Sequence, residues 1–144
     1  MSKLVEHRAL WSGLTSQADD AEIGVLGVPF DNAVSWRGGT RHAPQRIRSI
    51  TPHLGLTTEE GVVLKIRVKD YGDVETDLNW ERFFEAAEAS AAEIIRGKHR
   101  LAFFLGGDHS VGIPLFKAFA KAVDVACQRD PRIACSVPST KGKL

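Results

Sequence analysis

Cysteine, long apolar runs and any excess of one charge are scarce in this sequence of 144 residues. Its two cysteines, Cys127 and Cys135, match no zinc-binding spacing and indicate free thiols rather than a disulfide framework. No apolar run approaches the roughly 18 residues that a membrane helix needs. Residues 1–14 also lack the apolar stretch of a secretory signal. These absences predict a cytoplasmic protein without a membrane partner.

The charges almost cancel, with 19 basic and 18 acidic side chains. Nucleic-acid binding driven by bulk charge is therefore not expected, although a small charged substrate stays open. The length suits one ordinary domain with a sizeable core.

Segments typical of strands and helices alternate along the chain. Short apolar runs predict strands at residues 22–28, 62–68 and 101–105. Helices are expected near residues 43–50, from Trp80 to about Gly97, where apolar residues recur three and four apart, and over residues 113–123. The alternation predicts an α/β fold with a mainly parallel sheet.

The two ends of the chain depart from this alternation. We divide the sequence into an irregular lead-in (1–21), a folded region (22–123) and a divergent tail (124–144), where residues 133–137 form the one weak strand candidate. The run at 101–105 is apolar on both faces, which suits the interior of a parallel sheet. As the last clear strand, it is expected to leave an apolar edge exposed.

Asp108 and His109 follow two glycines directly after the predicted strand at 101–105. Loops at the carboxyl ends of strands collect ligands in open α/β sheets, and neutral imidazole is a common metal ligand. The alternative is an ordinary turn with a solvated Asp108 and a hydrogen-bonded His109. Similarly, Asp70, Asp73 and Asp77 either form a loose cation loop or, more simply, a solvated loop before a helix.

Arg37 and Arg41 either face a substrate or make helix-start and loop hydrogen bonds. We expect the second, because both side chains would repel a substrate that is cationic. His42, His53 and His99 have no matching partners in the sequence and are interpreted as surface residues.

Two stretches together resemble the ureohydrolases, the family of agmatinase, arginase, guanidinobutyrase and formiminoglutamase. GVPFDNAVSWRGGTRHAPQRIR at residues 27–48 is similar to the family's N-terminal signature, and FLGGDHSVGIP at 104–114 is similar to its first metal-binding motif. YGDV at 71–74 fits the strand-end pattern between them. The opening GVPFD with its downstream SWRGGTR resembles the agmatinase branch more than the arginase branch.

The resemblance implies a three-layer α/β/α fold and a binuclear Mn²⁺ site. It implies hydrolysis of a guanidino C–N bond to urea and an amine, with agmatine as a typical substrate in polyamine metabolism. His109 matches the metal-binding histidine, and Asp108 matches a residue that supports the site without contacting the metal. In the full-length family a homo-oligomer is expected.

The family's two later metal motifs, Asp-Ala-His-x-Asp and Ser-x-Asp-x-Asp-x-x-Asp-Pro, are not found in this sequence. One imidazole does not supply the roughly six ligands that each Mn²⁺ favours. The sequence therefore predicts a truncated ureohydrolase that is inactive alone. The alternative is a non-catalytic module that associates with a full-length ureohydrolase.

Overall fold

The computed structural model describes residues 4–6 and 11–128. Its strands are β1 (Leu4–Val5), β2 (Ile23–Val28), β3 (Val68–Val74) and β4 (Leu101–Gly106), and its α-helices are α1 (Ala43–Ile50), α2 (Trp80–Arg96) and α3 (Gly112–Cys127). Single 3-10 turns cover Trp11–Gly13, Thr40–His42, Thr51–His53 and His109–Val111. The weak strand candidate at 133–137 lies outside the described residues.

The four strands form one sheet in the order β1-β3-β2-β4. β2 runs parallel to both β3 and β4, and only the short β1 is antiparallel to its neighbour β3. The expectation of an α/β fold with a mainly parallel sheet is thus confirmed. β1 lies within the segment that the sequence predicted to be irregular.

Helices cover both faces of the sheet, which gives the expected three layers. On one face, Leu26 and Val28 of β2 pack in a core with Phe83, Ala87 and other small or apolar side chains of α2. That helix begins at Asn79, whose side chain accepts hydrogen bonds from the Glu81 and Arg82 amides at 2.9 and 3.1 Å. On the other face, α1 lies over Gly27 of β2: a Cβ placed there would be 3.0 Å from the Pro44 side chain.

The second strand was predicted six residues too early. Residues 62–67 form a loop in which Val62 and Val63 are more than half exposed, and the strand is Val68–Val74 instead. The prediction was wrong because β3 carries charged side chains, two of which are neutralised by a residue distant in sequence. Arg48 of α1 binds Asp70 at 2.8 Å and Asp73 at 2.5 Å, and all three side chains are at least nine-tenths buried.

This buried ion cluster also corrects the interpretation of Asp70 and Asp73 as members of a solvated loop. Asp70 additionally accepts a 2.8 Å hydrogen bond from the indole Nε1 of Trp11. Burial by itself lowers the pKa of Arg48, but its bonds to Asp70 and Asp73 outweigh that effect and hold the pKa above its ordinary value. The cluster therefore ties α1 to β3.

His99 is not the free surface residue that the sequence predicted. Its ring is half-buried between strands, with Nε2 2.7 Å from the Tyr71 hydroxyl and Nδ1 2.6 Å from the Ala21 carbonyl. Gly24 of β2 provides the space, because a Cβ at this position would come within 2.8 Å of the His99 ring. His99 thus links Tyr71 of β3 to Ala21 before β2, on the side of the sheet opposite Asp108 and His109.

β4 lies at the edge of the described sheet, as expected for the last clear strand. Leu101 and Phe103 are 49% and 48% exposed, so the apolar run at 101–105 is only partly covered. The helix that follows is longer than the predicted 113–123, since it runs from Gly112 to Cys127. Among the described helices none could traverse a lipid bilayer; the longest, α2, has 17 residues and four glutamates.

Candidate functional site

Two loops leave the same edge of the sheet and are bound to each other there. β2 and β4 are parallel neighbours, so residues 29–40 and the turn at 107–111 both follow carboxyl ends of strands. The Asp108 amide donates a 2.8 Å hydrogen bond to the Phe30 carbonyl. Gly107 allows this approach, because a Cβ there would lie 1.8 Å from the same oxygen. The two sequence motifs are thereby brought together.

Asp108 organises the turn through its carboxylate. Oδ1 accepts hydrogen bonds from the amide and the hydroxyl of Ser110, at 2.8 and 2.5 Å, and Oδ2 accepts one from the Ala33 amide at 2.9 Å. The carboxylate therefore caps the turn that begins at His109 and also fastens the loop after β2. Three donors thus hold the Asp108 carboxylate in place.

His109 projects from this turn and is exposed. It lines a cleft of about 540 Å³ together with residues of both loops, among them Ser35, Trp36, Arg37 and Thr40. Within the described chain its imidazole makes no hydrogen bond. A nitrogen lone pair of the neutral ring is therefore available to a metal ion or a ligand in the cleft.

Asp31 anchors the far side of the loop after β2. Its side chain is buried, accepts a 2.6 Å hydrogen bond from the Gly39 amide and lies 2.7 Å from Nε of Arg41. The Gly39 amide, together with Arg41, holds the pKa of Asp31 below its ordinary value although burial opposes this. Gly39 has φ of 122°, a conformation that favours glycine. Arg41 thus forms an ion pair within the loop, where the sequence predicted hydrogen bonding.

Asp31 and Trp36 are not among the candidate residues predicted from the sequence. Trp36 is 88% exposed and lines the cleft beside His109. The sequence feature that could have identified Asp31 and Trp36 is their position in the loop directly after a buried strand, between Pro29 and the Gly-Gly pair. Asp77, the third aspartate of the loose cation loop, instead lines a neighbouring cleft together with Asp31.

No group of three or more histidine, cysteine, aspartate or glutamate side chains within residues 4–6 and 11–128 has the arrangement to hold a metal ion. Among the described residues, those that line the cleft of His109 bring together one imidazole and one carboxylate, Asp108. They do not by themselves fit a two-ion manganese centre.

The fold and this edge define the class of the protein. It is an α/β protein whose candidate groups lie on loops at the carboxyl ends of parallel strands, the usual place for ligand sites in such sheets. The family model described as "Arginase family" matches residues 21–133. The chain therefore belongs to the arginase family, as the two motifs predicted.

Individual relatives agree with this assignment. The chain is 34% identical over 111 residues to an agmatinase of Photorhabdus laumondii, an alignment that covers 72% of this chain and 36% of that protein. It is 36% identical over 109 residues to an agmatinase of Escherichia coli O1:K1 / APEC, covering 71% and 35%. The matched region thus corresponds to about a third of the length of these curated relatives.

Solved structures share the fold. A putative agmatinase from Clostridium difficile superposes with a TM-score of 0.66 at 28% identity, covering 74% of this chain and 39% of that one. The structure of Trypanosoma cruzi formiminoglutamase with Mn²⁺ gives a TM-score of 0.69 at 25% identity, covering 78% and 41%. These likenesses support the ureohydrolase interpretation and do not favour the alternative of a non-catalytic module.

Proposed function

We propose that this chain is part of an agmatinase-like ureohydrolase, in which a guanidino compound such as agmatine is hydrolysed to urea and an amine. The observation that carries the proposal is the position of His109. Its unbound imidazole lines a cleft formed by both family motifs at the carboxyl ends of β2 and β4. The similarity to agmatinases supports the substrate class.

His109 is proposed as one ligand of the family's manganese. Imidazole is a good ligand for divalent first-row metals, and Asp108 holds the turn that presents it. Because the described residues supply a single free donor group, further ligands have to come from elsewhere. The expected outcome for the chain by itself is weak Mn²⁺ binding and no release of urea.

Metal binding tests the role of His109 directly. Mn²⁺ is titrated into the purified chain and followed by electron paramagnetic resonance, for the wild type, His109→Ala and His53→Ala. His53 is exposed and does not line the cleft, so His53→Ala is the matched control. We expect His109→Ala to abolish the specific binding and His53→Ala to leave it unchanged. Equal binding by all three proteins would refute the assignment.

Urea production tests the remainder of the proposal. The chain and an intact agmatinase are each incubated with Mn²⁺ and agmatine, and urea is measured. We expect urea only from the intact enzyme. Robust release by the chain, abolished in His109→Ala, would show that it does supply a complete ligand set.

Asp108 offers a test of positioning rather than of ligation. Asp108→Ala removes the acceptor for Ser110 and Ala33, and we expect the turn to loosen and Mn²⁺ binding at His109 to weaken. Asp108→Asn keeps one carbonyl acceptor and is expected to lose less. If Asp108→Ala bound Mn²⁺ as tightly as the wild type, the carboxylate would have no part in positioning His109.

A further inference from the structure

Trp36 lies on a short segment that is held at both ends. On one side the Ala33 amide donates to Asp108 at 2.9 Å, and on the other the Gly39 amide donates to Asp31 at 2.6 Å. Only residues 34–38 lie between these anchors. Since both anchors are bonds to carboxylates that are themselves fixed, the position of Trp36 at the cleft is set by the loop around it.

The indole of Trp36 is exposed, whereas those of the other two tryptophans contact neighbouring side chains. Trp11 donates its indole N–H to Asp70, and Trp80 packs edge-on against Phe84 with ring centroids 5.7 Å apart. Trp36 is 88% exposed and makes no ring contact with the described part of the chain. A single exposed aromatic is ordinary on a protein surface. Its place in the same cleft as His109 distinguishes Trp36.

The charges of the cleft indicate what this ring can recognise. Asp108 is the acidic side chain that lines the cleft, where Ser110 and Ala33 hold its carboxylate in place. Arg37 also lines the cleft and opposes the entry of positive charge. The face of an indole attracts cations more strongly than other aromatic rings do, and a planar guanidinium can stack flat against it.

We infer that Trp36 recognises the guanidinium group of the ligand by stacking its indole on that planar cation in the cleft beside His109. This inference rests on the proposed function and deepens it, because it names the side chain that selects a guanidino compound. Trp36 binds the ligand in this scheme, whereas His109 is the proposed metal ligand.

Binding of agmatine without metal tests the inference on the chain itself. The indole N–H resonance of Trp36 is assigned by its loss in Trp36→Leu, and agmatine is then titrated into the wild type. Diaminobutane, which has an ammonium in place of the guanidinium, is the comparison ligand. We expect agmatine to shift the Trp36 resonance at lower concentration than diaminobutane does, because only the guanidinium stacks.

Variants of Trp36 measure how much its side chain contributes to the affinity for agmatine. Dissociation constants for agmatine are measured by following shifted backbone amide resonances of the cleft. Trp36→Leu is expected to weaken binding about two- to fivefold, the range for an exposed cation–π contact, and Trp36→Phe less than that. Trp80→Leu is the control, since Trp80 is also partly exposed but lines a different cleft, and we expect no change.

The outcomes separate this inference from the proposed function. Unchanged affinity in Trp36→Leu, or no shift of the Trp36 resonance with millimolar agmatine, would overturn the inference even if His109→Ala abolished Mn²⁺ binding. Conversely, weakened agmatine binding in Trp36→Leu together with unchanged Mn²⁺ binding in His109→Ala would support Trp36 and refute the role of His109.

Discussion

Replacing Arg48 by methionine tests how strongly the buried ion cluster holds α1 to the sheet. The guanidinium makes four hydrogen bonds, two to Asp70, one to Asp73 and one to the Gly72 carbonyl, at 2.5 to 2.9 Å. Its side chain is 4% exposed, and those of Asp70 and Asp73 are 5% and 10% exposed. Methionine keeps much of the volume but leaves two buried carboxylates without their cation.

Breaking a buried ion pair by removing one partner typically costs about 3–5 kcal/mol, since the remaining charge is uncompensated. We expect a loss of that size in the free energy of unfolding of Arg48→Met at neutral pH. Arg48→Lys retains a cation but not the planar guanidinium. Its free energy of unfolding should therefore lie between those of Arg48→Met and the wild type.

Urea denaturation followed by far-UV circular dichroism measures this loss. Arg46→Met lies on the same helix at an exposed position and is the matched control, with an expected change within about 0.5 kcal/mol. If Arg48→Met lost less than about 1 kcal/mol, the cluster would not be a main attachment of α1. The same conclusion would follow if Arg48→Met and Arg46→Met behaved alike.

Two further perturbations address the sheet and its charges. Gly27→Ala would place a Cβ 1.7 Å from Oδ1 of Asp73, so we expect it to destabilise the fold by at least about 2 kcal/mol. Gly55→Ala, with nothing within 4 Å, should be nearly neutral in the same urea denaturation, and equal effects would refute the steric argument. Hydrogen bonds from Arg67 lower the pKa of Glu22 from its ordinary 4.5 to about 2. Stability from this pair is therefore present above pH 4.5 and lost as the pH falls towards 2, so the advantage of the wild type over Glu22→Gln should vanish across that interval. A constant difference between pH 7 and pH 2 would contradict this.

The elements that the sequence predicted well carry their signal locally. The apolar residues of α2 recur with the helical period, and Asn79 immediately before it is a good N-cap. β2 and β4 are continuous apolar runs ended by proline or glycine. Each of these features depends on neighbouring residues, so no knowledge of the remainder of the fold was needed.

β3 could not be placed from its sequence because its stability depends on distant partners. Residues 62–68 look more like a buried strand than residues 68–74 do, since charged side chains interrupt the latter. Arg48 neutralises two of those charges from α1, 22 and 25 residues earlier in the chain. His99 was misinterpreted for the same reason, because its partners Tyr71 and Ala21 are 28 and 78 residues away.

The sequence by itself determined the alternation of strands and helices, the two family motifs and the presence of His109 after a buried strand. These follow from local periodicity, turn-forming glycines and side-chain chemistry. The tertiary structure alone decided that Asp108 binds Ala33 of the other motif, that Asp70 and Asp73 are structural, and that Trp36 shares a cleft with His109. The physical reason is that parallel pairing of β2 and β4 brings together loops about 75 residues apart, and no local pattern encodes which side chains then meet.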